Sequence, residues 1–336
     1  IPTLPTIREG RDHMTISVSA RRLLSIDDLT DEDLRSIVTR GAHFASGAGA
    51  DERPLTGWVA GIYFKKTSTR TRTAFSAGAL RLGAQIVTYG PDDLQVNTGE
   101  TVEDTGRVMS RMLDVLVART AGSDEELAGL SGGGRLPVVN AMSAAEHPTQ
   151  GLTDLTTLQL AFGRIEGLNL LYVGEGNNSA AALALALTRF PGTSLELRTP
   201  AGYGVHRTIL DRAREQAERY GSRISEAHDM DGLPGELDAV YTTRWQTTGT
   251  SKPDPNWREL FAPFQVTQAL WDHAPKALFL HDLPAHRGEE VTAEVLDGPA
   301  SIAFDQAENK MHSAMAVLEW IRHGAVADAT GGEARP

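Results

Sequence analysis

The stretch Leu55–Leu82, LTGWVAGIYFKKTSTRTRTAFSAGALRL, decides the reading of this chain. Leu55 to Phe64 is a short apolar run expected to form a strand, and Thr73 to Leu82 is small, apolar and helically periodic. Between them, Lys65-Lys66-Thr67-Ser68-Thr69-Arg70-Thr71-Arg72 sets hydroxyls and guanidinium groups at a strand-to-helix junction. The same alternation continues outward. Ser25 to Phe44 predicts a helix, acidic early and basic late, as the helix dipole favours. Ala84–Tyr89 reads as a strand, Glu100–Met112 as a helix, Leu113–Ala118 as a strand and Gly132-Gly133-Gly134 as a turn. Val138–Asn140 is a further strand and His147–Ala161 a long helix. Alternating β and α predicts a parallel sheet with helices on both faces.

The alternation restarts after Gly163 to Gly167. Strands are expected at Asn169–Val173, Leu195–Arg198, Ala239–Thr242 and Ala277–Leu280, with helices at Ser179–Phe190 and Arg207–Tyr220. Asp305–Arg322 is helical and long enough to cross back onto the first block. The fold class is therefore α/β: two Rossmann-like domains with parallel sheets covered by helices, and a C-terminal helix returning to the first domain. Residues 1–13 (IPTLPTIREGRDH) read as an irregular leader, native or added, ahead of Met14. The expected limits are a leader over 1–18, a first domain over 19–163, a second over 164–304, and a C-terminal helix and tail over 305–336.

Composition agrees. At about 150 residues per domain, 336 residues suggest two domains, each with its own core. Hydrophobic residues make up 40% and charged residues 23%, as in a soluble globular protein. No run of about 18 apolar residues is present, so no membrane-spanning helix is expected. The absence of cysteine excludes disulfides, thiolate metal sites and thiol nucleophiles, and fits a reducing, cytoplasmic setting. A net charge of −12 without a basic block argues against nucleic acid or anionic membrane as partners. An anionic small substrate would need a local cluster of arginines.

Five segments could carry chemistry. Ser68-Thr69-Arg70-Thr71-Arg72 could surround a phosphate with helix N-terminal amides, hydroxyls and a bidentate guanidinium, or be a capped helix with surface arginines. His147-Pro148-Thr149-Gln150 opens a helix; it is either a capping arrangement or a pair that donates to an oxyanion and holds an amide. His281-Asp282-Leu283-Pro284-Ala285-His286 suggests a rigid turn with a cis bond after a strand and is too sparse for a metal site. Gly174-Glu175-Gly176-Asn177-Asn178-Ser179, with Glu196 beyond it, is similar to a dinucleotide fingerprint but lacks the third glycine. Thr242–Gly249 is a polar loop after a strand, a specificity loop or a solvated one.

Taken together, Ser68–Arg72, Arg119, His147–Gln150 and His281-x-Leu283-Pro284 resemble the aspartate/ornithine carbamoyltransferase family, in order and from about Ser19 to Trp320. The resemblance implies a carbamoyl phosphate-binding first domain, an amino acid-binding second domain, and a homotrimer with sites at subunit interfaces. It implies Arg70, Arg119 and His147 as catalytic residues. Ser68, Thr69, Arg70 and Thr71 would hold the phosphate, Thr71, Arg119 and His147 the carbonyl oxygen, and Gln150 the carbamoyl NH2. Gln95 matches the ornithine-type glutamine that reaches a neighbouring subunit, and Leu283 and Arg287 match donor-site positions after the turn. No cofactor and no metal are implied.

The departures lie at the acceptor side. Ornithine-type sequences carry cysteine where Asp282 stands, and aspartate followed by Ser-Met-Gly where Thr243 and Thr247-Thr248-Gly249 stand. Thr243-Arg244-x-Gln246 is closer to the aspartate-type loop, whereas Asn178 matches the ornithine-type contact to the α-carboxylate. Lys65 replaces the usual glutamate. The expected acceptor set is Asn178, Thr243, Arg244, Gln246, Asp282 and Leu283. The expected reaction is carbamoyl transfer to the amine of a small amino acid or related amine, ornithine-type by default with the acceptor changed. The rivals are a catalytically silent carbamoyl phosphate-binding paralogue and an NAD-linked oxidoreductase.

Overall fold

The computed structural model describes residues 20–247 and 250–325; the leader, the tail from 326, and Thr248 and Gly249 of the polar loop lie outside the described residues. Strand β1 (Val59–Phe64) feeds helix α2 (Arg70–Arg81), after α1 (Asp31–Ala45) has opened the chain. Then follow β2 (Gln85–Tyr89), α3 (Val102–Met109), β3 (Val115–Arg119), α4 (Asp124–Leu130), β4 (Val138–Asn140) and α5 (Pro148–Phe162). The four strands form one parallel sheet in the order β2-β1-β3-β4.

The second sheet is built from β5 (Asn169–Val173), β6 (Ser194–Arg198), β7 (Arg223–Ala227), β8 (Ala239–Thr242) and β9 (Leu278–His281). It too is parallel, in the order β7-β6-β5-β8-β9. Helices α6 (Asn178–Leu187) and α7 (Arg207–Tyr220) connect its first strands; the short α8 (Trp257–Phe261), α9 (Leu270–His273) and α10 (Ala293–Leu296) follow. Helix α11 (Ala303–His323) packs on α1, α2 and α5, so this helix does return to the first sheet's helices. No helix among the described residues is long and apolar enough to cross a membrane.

Each sheet has one point where successive strands are laid down on opposite sides. In the first it lies between β1 and β3, whose last residues Phe64 and Arg119 are in register; in the second it lies between β5 and β8, where Val173 faces Thr242. Ligands of open α/β sheets bind at the carboxyl ends of the strands at such points. Here the two points face one cleft.

Two local readings change. The helix expected from Ser25 is broken: a 3₁₀ turn at Ile26–Asp28 ends at extended Leu29, and Thr30 starts α1 afresh. Ser25 with Asp28 and Thr30 with Asp33 form tandem capping boxes, which is why one periodic stretch gives two elements. The first strand starts at Val59 rather than Leu55, because Gly57 turns the chain at φ +84°.

Helix α5 is buried from Pro148 to Leu158 despite four threonines. Three of their hydroxyls donate back to carbonyls four residues earlier, Thr153 to Thr149, Thr156 to Leu152 and Thr157 to Thr153, at 2.7–2.8 Å. The helix thus satisfies its own polar groups and can sit inside. Gly151 lets α6 approach, since a Cβ there would lie 3.0 Å from the Ala182 carbonyl.

A buried carboxylate ties the start of the chain to the loop before α5. Glu146 Oε1 accepts from the Ile26 N–H at 2.8 Å, and burial pushes its carboxyl up to about 7 from 4.5, against hydrogen bonds from Ser25 and Ile26. The folded pKa lies above the unfolded one, so the folded state loses about 3 kcal/mol relative to the unfolded chain as pH rises through that window. Glu146→Gln, titrated with urea across pH, is expected to gain stability relative to the parent as pH rises from about 4.5 to about 7 and to hold a constant difference above it. Parallel pH profiles for the two proteins would exclude Glu146 as the titrating group.

Candidate active site

The cleft between the two sheets contains a cavity of about 350 Å³. Its first-sheet side is made by the loop after β1 and the start of α2. Thr69 occupies the N-cap position of α2 but makes no side-chain cap, so the first-turn amides are left to a ligand. Ser68, Thr69, Arg70 and Thr71 all line the cavity. Arg119 enters from the end of β3, buried to 7% exposure, and its Nε has no hydrogen-bond partner. Burial lowers its pKa to about 10, with Asp282 opposing that shift and Arg70 adding to it, and it remains a cation at neutral pH. Arg70, also lowered by burial, feels Asp282 as its counter-charge.

His147 stands at the N-terminus of α5. Burial, and then the charges of Arg119 and Lys310, hold its imidazole well below the usual pKa, so the ring is neutral. Its Nδ1 lies 3.2 Å from the Thr149 hydroxyl. With that hydroxyl as donor, Nε2 carries the proton and serves as a hydrogen-bond donor. The His147 amide also donates to the Asn178 carbonyl at 3.1 Å, and Asn178 Nδ2 donates to the Ser143 carbonyl at 2.9 Å, a double tie across the cleft.

Gln150 is fixed from both ends. Its Nε2 donates to Asp154 Oδ1 at 2.6 Å, and its Oε1 accepts from the Lys310 ammonium. Asp154 Oδ1 also accepts from Gln306 Nε2 at 2.7 Å and the Tyr241 hydroxyl at 3.3 Å. Burial raises the Asp154 carboxyl and lowers the Lys310 ammonium, while their attraction opposes both shifts. Lys310 lines the cavity and was not among the sequence-derived candidates; neither was Asp154. The readable signal was a pair of i,i+4 polar couples on otherwise apolar helix faces, Gln150/Asp154 and Gln306/Lys310.

The opposite side comes from the second sheet. Asn178, Thr243, Arg244, Gln246, Asp282 and Leu283 all border the same cavity. The Asp282 carboxylate accepts from Ser179 Oγ and from Thr243 Oγ1, both at 2.8 Å. Leu283 holds φ +52° before a cis Leu283–Pro284 bond, and Met142, also on the wall, holds φ +138°. Such strain in non-glycine residues gathers at functional sites.

Two candidates stand apart from this cavity. Gln95 is exposed on a 3₁₀ turn, where its Oε1 accepts from Thr98 Oγ1 at 2.7 Å. Arg287 is half-exposed and paired with Asp297 through contacts of 2.6 and 2.9 Å. Lys65, the unusual residue before the phosphate loop, pairs with Glu126 at 2.8 Å. In the glycine turn after β5, Asn177 Oδ1 caps α6, and Gly176 packs against the backbone of Gly204 and Val205. Glu196 is engaged by Arg198 at 2.9 Å. Among the described residues no group of three or more histidine, aspartate or glutamate side chains is gathered to hold a metal.

Comparison with known proteins agrees with this geometry. Residues 21–160 match the family model for the aspartate/ornithine carbamoyltransferase carbamoyl-P binding domain, and residues 166–321 the model for its Asp/Orn binding domain. An ornithine carbamoyltransferase of Thermococcus kodakarensis is 37% identical over 93% of this chain and 99% of its own length. One from Acidothermus cellulolyticus is 39% identical over 94% and 99%. The solved ornithine carbamoyltransferase of Pyrococcus furiosus superposes with a TM-score of 0.82 at 36% identity, covering 89% of this chain and 96% of that one. The chain belongs to the aspartate/ornithine carbamoyltransferase family and is a carbamoyltransferase.

Asp154→Ala removes the acceptor of three buried donors and the counter-charge of Lys310; it is expected to lower the unfolding free energy by about 3 kcal/mol or more in urea. Arg244→Ala, which breaks no hydrogen bond among the described residues, should stay within about 0.5 kcal/mol. Comparable losses in the two variants would contradict this assignment of the buried network.

Proposed function

We propose that this member of the family transfers the carbamoyl group of carbamoyl phosphate to the amine of a small amino acid or related amine, releasing phosphate and a ureido product. The observation that carries the reading is Arg119, buried with an unpaired Nε beside Arg70, the uncapped start of α2 and a neutral histidine. The phosphate takes Ser68, Thr69, Arg70, Thr71 and the α2 amides. The carbonyl oxygen faces Thr71, Arg119 and His147 Nε2–H, and Gln150 Oε1 receives the carbamoyl NH2.

The amine lone pair then forms a bond to the carbamoyl carbon, and negative charge builds on the carbonyl oxygen. Arg119 and His147 stabilise it without reorganising, since each is already fixed by its surroundings. The C–O bond to phosphate breaks, the electron pair leaves with phosphate, and phosphate also takes the amine proton. Neither a covalent intermediate nor a protein base is required.

The acceptor lies on the second-sheet side, against Asn178, Thr243, Arg244, Gln246 and Asp282, with Leu283 between donor and acceptor. The charge pattern there differs from the ornithine type, and the acceptor differs accordingly. Gln95, exposed and outside its own cavity, is placed to serve a neighbouring copy, in keeping with a homotrimer. Arg287, held by Asp297, completes the donor site if that pair opens. The engaged Glu196 and the packed Gly176 weigh against a dinucleotide in the second domain.

Loss of one such donor costs about 10²–10³ in turnover in well-studied enzymes. Arg119→Met is expected to lower kcat for ureido product by that factor while the urea midpoint moves little. Full activity in this variant would overturn the oxyanion assignment, and measuring product by mass spectrometry separates transfer from spontaneous carbamoyl phosphate decay.

A further inference from the structure

The acceptor pocket is asymmetric in charge. Among the described residues it has one carboxylate, Asp282, and Thr248 and Gly249 add none. Both Asp282 oxygens are aimed by hydroxyl donors, Ser179 Oγ and Thr243 Oγ1, and each keeps a lone pair for a ligand. Its charge acts on Arg70, Arg119 and Lys310, so it sits at the junction with the donor site, where the attacking nitrogen must lie. The next acid behind the wall, Glu175, is already taken by Lys252 Nζ at 2.5 Å and Thr247 Oγ1 at 3.1 Å. Beyond Asp282 the pocket presents Arg244, a guanidinium with no hydrogen bond or ion pair among the described residues.

We infer that the acceptor carries one free amine only, which Asp282 holds, and that its α-nitrogen is acylated, with a carbonyl or carboxylate set against Arg244. The inference rests on the carbamoyl-transfer reading. A second ammonium would enter a partly desolvated pocket beside a cation, with no carboxylate left to receive it. An acyl carbonyl or a carboxylate meets the opposite situation, since Arg244 and Asn178 supply donors. In the reaction Asp282 accepts a hydrogen bond from the attacking amine and balances the positive charge that develops on nitrogen as the N–C bond forms. The proton still leaves with phosphate.

The test is a panel of matched pairs with carbamoyl phosphate: ornithine and Nα-acetylornithine, lysine and Nα-acetyllysine, 2,3-diaminopropionate and its Nα-acetyl form. Phosphate release and ureido product are both followed. At least one acylated member is expected to exceed its free partner at least tenfold in kcat/KM, with no pair reversed. A free diamino acid equal to or better than its acylated partner overturns the inference and leaves carbamoyl transfer standing. Product from none of the six overturns both.

A second arm exchanges the charges. The double variant Thr243→Asp/Asp282→Cys moves the carboxylate from the donor junction to the loop, and is expected to shift the acylated-to-free ratio at least tenfold toward the free amino acid. An unchanged ratio in the folded variant counts against Asp282 as the selecting group.

Discussion

Asp154 is fully buried, and through one oxygen it receives Gln150 from its own helix α5, Gln306 from α11 and Tyr241 from β8. Gln306 passes the connection on, because its Oε1 accepts the His281 N–H at 2.8 Å at the end of β9. Its other oxygen, Oδ2, is buried without a hydrogen-bond partner, and a buried carboxylate is expensive, so the three donors on Oδ1 carry the compensation. Four elements must therefore meet in one arrangement, and the two sheets, the returning C-terminal helix and the helix that opens with His147 are fixed relative to one another. Lys310 brings the compensating charge from one turn further along α11. The chemistry inherits an oriented amide. Asp154 accepts only from the nitrogen of Gln150 and Lys310 donates only to its oxygen, which leaves one side-chain orientation.

The same logic separates structural arginines from those that face the cleft. Arg40 is divided between Glu52 and Glu319, Arg189 is held by Asp31 and two carbonyls, and Arg198 by Glu196 and Asp229. Each closes a contact between distant parts of the chain and is spent there. Arg70, Arg119 and Arg244 border the cavity without such partners among the described residues. In a chain with a net charge of −12, three uncommitted guanidinium groups in one cleft create a local field that the global charge does not.

How much of this was legible follows from what kind of order each feature needs. The apolar strands β1, β5 and β8 declare a doubly covered parallel sheet, because burial on both faces leaves no alternation. Edge strand β7, Arg-Ile-Ser-Glu-Ala, has one partner and an exposed side, and its polar composition hid it. The seven residues of α4 were too few to show a period. Ser68 to Thr71 stood out because the residues that share the cavity are adjacent in sequence; Arg72, read with them, does not border it. Asp154 and Lys310 showed only as members of two i,i+4 polar couples, and that they meet is decided by the tertiary fold, which brings the two helices together.

The polar loop after β8 is held in a different way from the first-sheet side of the cleft. Residues 243–247 leave β8, are tied to the cavity wall through Thr243 and Asp282, and are otherwise anchored from behind. Lys252 ion-pairs with Glu175 at 2.5 Å and lies 4.6 Å from the ring centroids of Tyr203 and Phe261 and 5.2 Å from that of Trp257. Trp245 packs edge-on against Trp257 within the same cluster, and Thr247 adds a hydrogen bond to Glu175. A cation desolvated among aromatic faces and closed by a carboxylate is a strong local anchor. It holds the loop without using the side chain of Arg244, while Gln246 Nε2 adds a bond to the Thr250 carbonyl at 3.0 Å and Thr243 Oγ1 one to Asp282 at 2.8 Å. Position 244 can therefore change with little effect on the loop's path, whereas Arg119 and His147 sit at a strand end and a helix N-terminus whose geometry the core dictates. One wall of the cleft is thus held by the core and the other by an aromatic and ionic anchor outside it, so a side chain such as Arg244 can vary independently of the buried network.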